Sequence, residues 1–119
     1  MTSKLNDFLN SASDRSTVSA TGWLDSPSAD EIEALYSDLG QTFAQTVDEC
    51  RKLLGLERLS DDQDREWLDT WYPEAIKFAA WPRPSGELLY VSLEHQDREA
   101  PVAVLLGRVS EREITERSA

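Results

Sequence analysis

The stretch that decides the fold is SADEIEALYSDLGQTFAQTVDECRKLLG, which covers residues 28–55. Ser28 and Glu31 have the spacing of a capping box, in which a hydroxyl and a carboxylate satisfy free N–H groups at a helix start. Gly55 stands where a helix ends in the left-handed conformation that glycine tolerates best. The spacing of these residues therefore predicts one helix over residues 29–54.

The apolar residues of this helix keep the same phase for about six turns, which is the pattern of a helix with one buried face. The buried stripe is expected to contain Ile32, Leu35, Tyr36, Leu39, Phe43, Val47, Cys50, Leu53 and Leu54. The opposite face is expected to carry Asp30, Glu33, Asp38, Asp48, Arg51 and Lys52. The helix is therefore predicted to present a largely acidic face to solvent.

Length raises a question about this helix, because 26 residues would extend for about 39 Å. A domain of roughly 95 ordered residues is only about 32 Å across. Either Gly40 breaks the helix into a pair, or the helix is continuous and a second subunit covers part of its stripe. The unbroken apolar phase across Gly40 favours the continuous helix, and a homodimer is one alternative that follows from it.

A short second helix and three strands are predicted after the long helix. Ser60 and Gln63 repeat the cap spacing, and Pro73 ends the short helix. Strands are expected over residues 75–81, 87–95 and 101–107, joined by five-residue connections that are too short for a parallel crossover. The predicted fold class is α+β, with the long amphipathic helix and the short second helix packed on a three-stranded antiparallel meander.

The predicted meander has one apolar face, which the long helix is expected to cover. Its expected members are Ile76, Phe78 and Ala80 from the first strand, Leu89, Val91 and Leu93 from the second, and Val102, Val104 and Leu106 from the third. This assignment follows from the alternation of side chains along a strand.

The two ends of the chain are more polar than its centre. Residues 1–26 are predicted to be a mostly disordered tail whose end is pinned by Trp23 and Leu24, and residues 110–119 a charged C-terminal tail. Residues 27–109 are predicted to form a single α+β domain, since 119 residues fit one hydrophobic core.

Charge is the strongest global signal, because 12 basic and 23 acidic residues give a net charge of −11. Such a surface repels phosphates, so we expect no nucleic-acid partner and no attachment to anionic lipid. No apolar run approaches the roughly 20 residues that span a bilayer, and no targeting signal is recognisable at the start, so the expected location is cytoplasmic. The acidity either keeps the protein soluble or attracts a basic partner.

The stretch EHQDRE, residues 94–99, contains the only histidine of the chain. Glu94, His95 and Asp97 are either the solvated tip of a β-hairpin or a small catalytic or ligand-binding cluster. Adjacent strand residues point to opposite faces, which argues against a shared metal ion. No glycine-rich phosphate loop or calcium loop is present, so we expect no cofactor, no metal site and no enzymatic activity.

Aromatic residues near the predicted sheet edge form a candidate contact patch. Trp81, Arg83 and Tyr90 are expected to share one side of the sheet, and Trp, Tyr and Arg are the residues that most often anchor protein interfaces. Together with the acidic residues Asp30, Glu33, Asp38 and Asp48, they make a protein-binding function the main hypothesis, with a basic partner and a neutralising or chaperone-like role. The alternatives are an enzyme or ligand binder using the 94–97 turn, and a homo-oligomeric module paired through the long helix.

Overall fold

The computed structural model of the protein describes residues 4–118, which form four helices and five strands. The elements in chain order are α1 (Lys4–Leu9), β1 (Arg15–Ala20), α2 (Ala29–Leu54), β2 (Leu59–Ser60), α3 (Arg65–Trp71), β3 (Ala75–Pro82), β4 (Glu87–His95), β5 (Val102–Ser110) and α4 (Glu111–Ser118). The predicted α+β class and the long helix are confirmed.

The sheet is larger than the sequence predicts, because it has five strands in the order β1-β5-β4-β3-β2, all antiparallel. The predicted meander corresponds to β3, β4 and β5. The prediction of three strands is wrong, because it omits the two edge strands β1 and β2. These strands were missed because β1 has the polar sequence RSTVSA and β2 has only two residues. Neither carries the run of apolar residues by which a central strand is recognised.

The predicted tails contribute ordered elements to the layers. Residues 4–20 form α1 and β1, so the prediction of a mostly disordered segment is wrong for this part of the chain. Residues 111–118 form α4, whose Ile114 is buried. The helices at both ends of the chain were not predicted because their sequences are mostly polar. A short helix that packs on a sheet needs only one or two apolar residues. Residues 1–3 and 119 of the predicted tails lie outside the described residues.

One face of the sheet packs against α1 and α2. Its core contains Leu89, Val91 and Leu93 from β4, as predicted, and Leu39, Val47 and Cys50 from the stripe of α2. Ser28 accepts a hydrogen bond from the N–H of Glu31 at 3.1 Å, which is half of the predicted capping box. The stripe reaches its predicted limit at Leu54, which packs against this core, but the predicted burial of Leu53 is wrong because this residue is exposed.

The other face of the sheet packs against α3 and α4, and this second core was not predicted. It contains Leu68, Trp71, Phe78, Tyr90 and Ile114. The predicted grouping of Phe78 and Ala80 with the face under α2 is wrong. Their cross-strand partners are Ser92 and Tyr90, and this register puts them on the α3 side. Since β3, β4 and β5 are buried on both faces, the polar and apolar alternation that would have revealed this register is absent.

Helix α2 is continuous through Gly40, which confirms the favoured alternative for this segment. The molecule measures 43 × 42 × 25 Å, so it is a wide, thin layer rather than a sphere about 32 Å across. A helix of about 39 Å fits along this layer. The length of α2 therefore does not require a second subunit to cover it.

A polar side chain forms hydrogen bonds with backbone groups at each edge of the sheet. At the β1 edge, Lys4 Nζ donates to the carbonyl oxygens of Thr17 and Val18 at 3.3 and 3.1 Å. The register between β1 and β5 shifts at this point, so the edge is also bulged. At the β2 edge, the N–H of Ser60 donates to Asp64 Oδ2 at 3.0 Å.

Candidate partner-binding surface

The structure separates the three residues of the 94–97 cluster. Glu94 lies on the α3 side of the sheet and is only 9% exposed. Its carboxylate accepts a hydrogen bond from the Tyr72 hydroxyl at 2.7 Å, and the same hydroxyl lies 2.9 Å from Ser92 Oγ. Burial raises the pKa of Tyr72 far above its ordinary value, so this phenol stays protonated and keeps donating.

His95 points to the α2 side, as alternation along the strand predicts. Its Nδ1 lies 2.6 Å from the Tyr36 hydroxyl, and the two rings meet edge to face with centroids 5.6 Å apart. Asp97 is exposed and accepts the N–H groups of Glu99 and Ala100 at 3.0 and 3.1 Å. The solvated-tip interpretation therefore fits Asp97 but not Glu94 or His95, which hold elements together.

These side chains do not converge on one point, so their geometry provides no shared binding site. Within residues 4–118 there is no group of three or more His, Cys, Asp or Glu side chains placed to hold a metal ion. The enzyme or ligand-binder alternative therefore gains no support from the arrangement of the turn that motivated it.

The predicted aromatic patch is wrong. Trp81 is 3% exposed on the α2 side, and its indole Nε1 donates to the carbonyl oxygen of Gly55 at 2.9 Å. Tyr90 is also 3% exposed, but it lies on the opposite face. Only Arg83, in the turn between β3 and β4, is at the surface. The patch does not form because layers of helices cover both faces of β3 and β4.

Tyr90 has a structural role that the sequence did not show. Its ring lies directly over Gly107 of β5, where a Cβ atom would overlap it. Burial raises the pKa of Tyr90, and the neighbouring guanidinium of Arg15 offsets part of that rise. The tyrosine thus links β4 with β1 across a glycine.

The acidic residues predicted for the outer face of α2 are all exposed. They are Asp30, Glu33, Asp38 and Asp48. Asp48 forms an ion pair, since its carboxylate lies 3.6 Å from Arg51. Among residues 4–118 the other three form no ion pair. The N-terminal half of α2 therefore presents three exposed carboxylates that form no ion pair with another described residue.

This charge belongs to a longer acidic segment. Residues 16–50 contain seven acidic residues and no Lys, Arg or His. The helix dipole explains why acids suit the first turn of α2, where Asp30 and Glu31 lie, but it does not extend to Asp38. We call the exposed surface formed by Asp30, Glu33 and Asp38 the acidic surface.

The C-terminal half of α2 is less strongly charged. A groove of about 200 Å³ lies between this half and the turn after β2, and Asp48, Asp61 and Asp62 are among its lining residues. Lys77 and Arg51 line the same groove, and Arg51 forms a two-point contact with Glu57 at 2.6 and 2.8 Å. Its cations reduce the attraction for a basic partner, so the acidic surface is the better candidate.

One exposed aromatic residue was not among the predicted contact residues. Trp23, expected to help pin the N-terminal segment, is 77% exposed, whereas Leu24 packs against the core. The available signal was its position: it stands two residues before Asp25, the first acid of a segment that contains no Lys, Arg or His up to residue 50.

In comparisons with known proteins, the chain matches no protein-family model, no curated protein and no solved structure at a significant level. No helix within residues 4–118 is long and apolar enough to cross a membrane. The functional argument consequently depends on the chemistry of the surfaces described above.

Proposed function

We propose that this protein is not an enzyme but binds another protein, and that its partner presents a basic surface to the acidic surface of α2. The observation that carries the proposal is the segment of residues 16–50, with seven acids and no cation. Complementary charge accelerates encounter with such a partner and disfavours partners of the same sign. A neutralising or chaperone-like role, in which the partner is kept inactive or soluble, suits an acidic binder of this size.

General solubility is the competing explanation for the acidity. Solubility requires net charge but not segregation, and mixed signs serve it as well. Here the twelve basic residues lie entirely outside residues 16–50. Segregation of this kind favours recognition over solubility as the explanation.

The same charge disfavours a homodimer paired through the outer face of α2. Two copies meeting at this face would place carboxylates opposite carboxylates, and like charges across an interface cost free energy. A basic partner removes this repulsion, which is why we propose a different protein rather than a second copy.

The test compares two triple variants with the same change in charge. The first carries Asp30→Lys, Glu33→Lys and Asp38→Lys in the acidic surface. The control carries Asp7→Lys, Glu66→Lys and Glu74→Lys, three exposed acids outside α2. Each tagged protein is used to capture partners from a lysate of the source cell, and captured proteins are quantified by mass spectrometry at low and high salt.

We expect a basic protein that is captured by the wild type and by the control, and that is lost with the first variant and at high salt. Circular dichroism should show both variants folded, since all six positions are exposed. If no captured protein distinguishes the first variant from the control, the acidic surface is not the binding surface and the proposal fails.

A further inference from the structure

Trp23 is an aromatic residue whose side chain remains exposed to solvent in the folded protein. Its side chain is 77% exposed, whereas Trp81 is 3% exposed and Trp71 is buried. An indole carries the largest apolar surface of any side chain together with one N–H donor, so its exposure forgoes a considerable stabilisation. Exposed tryptophans are also the side chains that most often dominate the energy of protein interfaces.

The backbone around Trp23 is held in place on both sides. The N–H of Thr21 donates to Val102 at 2.9 Å, and the N–H of Leu24 donates to Glu99 at 2.8 Å. Trp23 therefore projects from a fixed segment, residues 21–24, that lies along the β4–β5 turn; we call this segment the strap. A partner that contacts it does not have to order a loose segment first, which lowers the entropic cost of binding.

Acidic residues are close to the strap in the sequence, and others lie in the turn to which its backbone is hydrogen-bonded. Asp25 follows Trp23 by two residues, Asp30 lies in the first turn of α2, and the β4–β5 turn contributes Asp97 and Glu99. The cation of the same turn, Arg98, is already engaged: its Nε and Nη2 donate to the carbonyl oxygen of Pro27 at 3.1 and 2.7 Å.

An indole face beside carboxylates is the chemistry that recognises a guanidinium. The flat cation stacks on the aromatic ring, and its N–H groups pair with carboxylate oxygens. Lysine is a poorer match, because its ammonium is more strongly hydrated and lacks the planar arrangement of donors.

We infer that Trp23 anchors the partner by receiving an arginine side chain of that partner, at the end of the acidic surface next to the β4–β5 turn. This inference rests on the proposed function and specifies it further. It identifies the partner segment as one with an exposed arginine, and it makes Trp23 rather than the carboxylates the main source of preference for arginine over lysine.

The experiment uses short peptides of defined sequence as probes. The blocked peptide acetyl-Arg-Gly-Arg-amide is titrated into the full chain labelled with ¹⁵N, and signals of the indole N–H groups and the backbone are followed by NMR. Two matched peptides replace arginine with lysine or with citrulline, which has a similar shape but no charge. We expect the Trp23 indole signal to move in a saturable way, at least threefold more tightly with arginine than with lysine, and not with citrulline.

Two variants of matched exposure complete the test. Trp23→Leu should weaken binding of the arginine peptide at least fivefold and remove the preference over lysine. Leu56→Ala changes a residue that is 78% exposed beyond the other end of α2, and it should leave both unchanged.

The two proposals fail in different ways. If the amide signals of α2 move while the Trp23 indole does not, or if Trp23→Leu binds as the wild type does, this inference is overturned and the proposed function stands. If no signal moves with any peptide, this inference is overturned, and the capture experiment with the lysine variants decides the proposed function.

Discussion

At the scale of single residues, Gly107 is the glycine with the least space for a side chain. A Cβ atom there would overlap the ring of Tyr90. We expect Gly107→Ala to lower the free energy of unfolding by about 1–3 kcal/mol, because the ring must leave its position or the strands must separate. Urea denaturation measures the effect.

Gly22→Ala is the matched control, because a Cβ atom there meets no heavy atom within 4 Å. It should change stability by less than about 0.5 kcal/mol. Adding Tyr90→Leu to Gly107→Ala should recover part of the loss. Equal stabilities of Gly107→Ala and Gly22→Ala would show that the Tyr90 ring does not lie over β5.

Cys50 is fully buried in the core beneath α2, and burial raises the pKa of its thiol from 9.0 to about 12. The thiolate is the reactive form, and at pH 8 almost none of it is present. We expect a disulfide reagent such as DTNB to modify native protein at least 100-fold more slowly than protein in urea. Modification within seconds in the native state would mean that the face of α2 carrying Cys50 does not pack on the sheet.

At the scale of elements, Gly40 tests the continuity of α2. It is a helix-interior residue, and the nearest atom to an added Cβ would be Lys77 Cε at 3.8 Å, an ordinary contact. Gly40→Ala should therefore stabilise the protein by about 1 kcal/mol, the difference in helix propensity.

Gly55 is the natural comparison, because it ends the same helix with φ of 89°. Gly55→Ala should destabilise by about 1 kcal/mol, since a side chain is strained in this conformation. Thermal and urea unfolding measure both variants. A destabilising Gly40→Ala would indicate that the helix bends at this glycine.

The elements also show what could be read from the sequence. Helix α2 was predictable within a residue because cap, stripe and terminal glycine agree, and the strands β4 and β5 were predictable from their apolar runs. The edge strands β1 and β2 were not, because partners rather than composition define them. The candidate contact residues differ in the same way. The exposure of Asp30 and Asp38 could be predicted, because it follows from their position around the helix. The burial of Trp81 and the exposure of Trp23 could not, because they depend on which other elements pack against these residues.

At the scale of the whole molecule, a cysteine thiol and three tyrosine hydroxyls with raised pKa values predict that the protein is less stable at alkaline pH. Burial raises the pKa values of Cys50, Tyr36, Tyr72 and Tyr90 above their ordinary values of 9.0 and 10.0. Above pH 9 the unfolded chain loses these protons while the native protein keeps them, so the unfolded state binds fewer protons. The contribution of these groups to the free energy of unfolding is therefore fully present below pH 9. It is lost as the pH rises through their pKa values in the folded state.

We expect the free energy of unfolding to fall between pH 8 and pH 10.5, with roughly 2 kcal/mol of the loss coming from Cys50. Urea denaturation at several pH values measures the slope. Cys50→Ala should reduce this slope without abolishing it, because the tyrosines remain. A stability that does not change over this range would contradict the burial of these groups.

The lysine that covers the Thr17 and Val18 carbonyl oxygens determines more than local order. An antiparallel ladder can continue wherever an outer strand offers free backbone groups, and a second molecule can supply the next rung. Lys4 at one edge and Asp64 at the other occupy groups that such a neighbour would need. We therefore expect these contacts to oppose edge-to-edge growth of the five-stranded sheet into a fibre when copies of the protein are crowded.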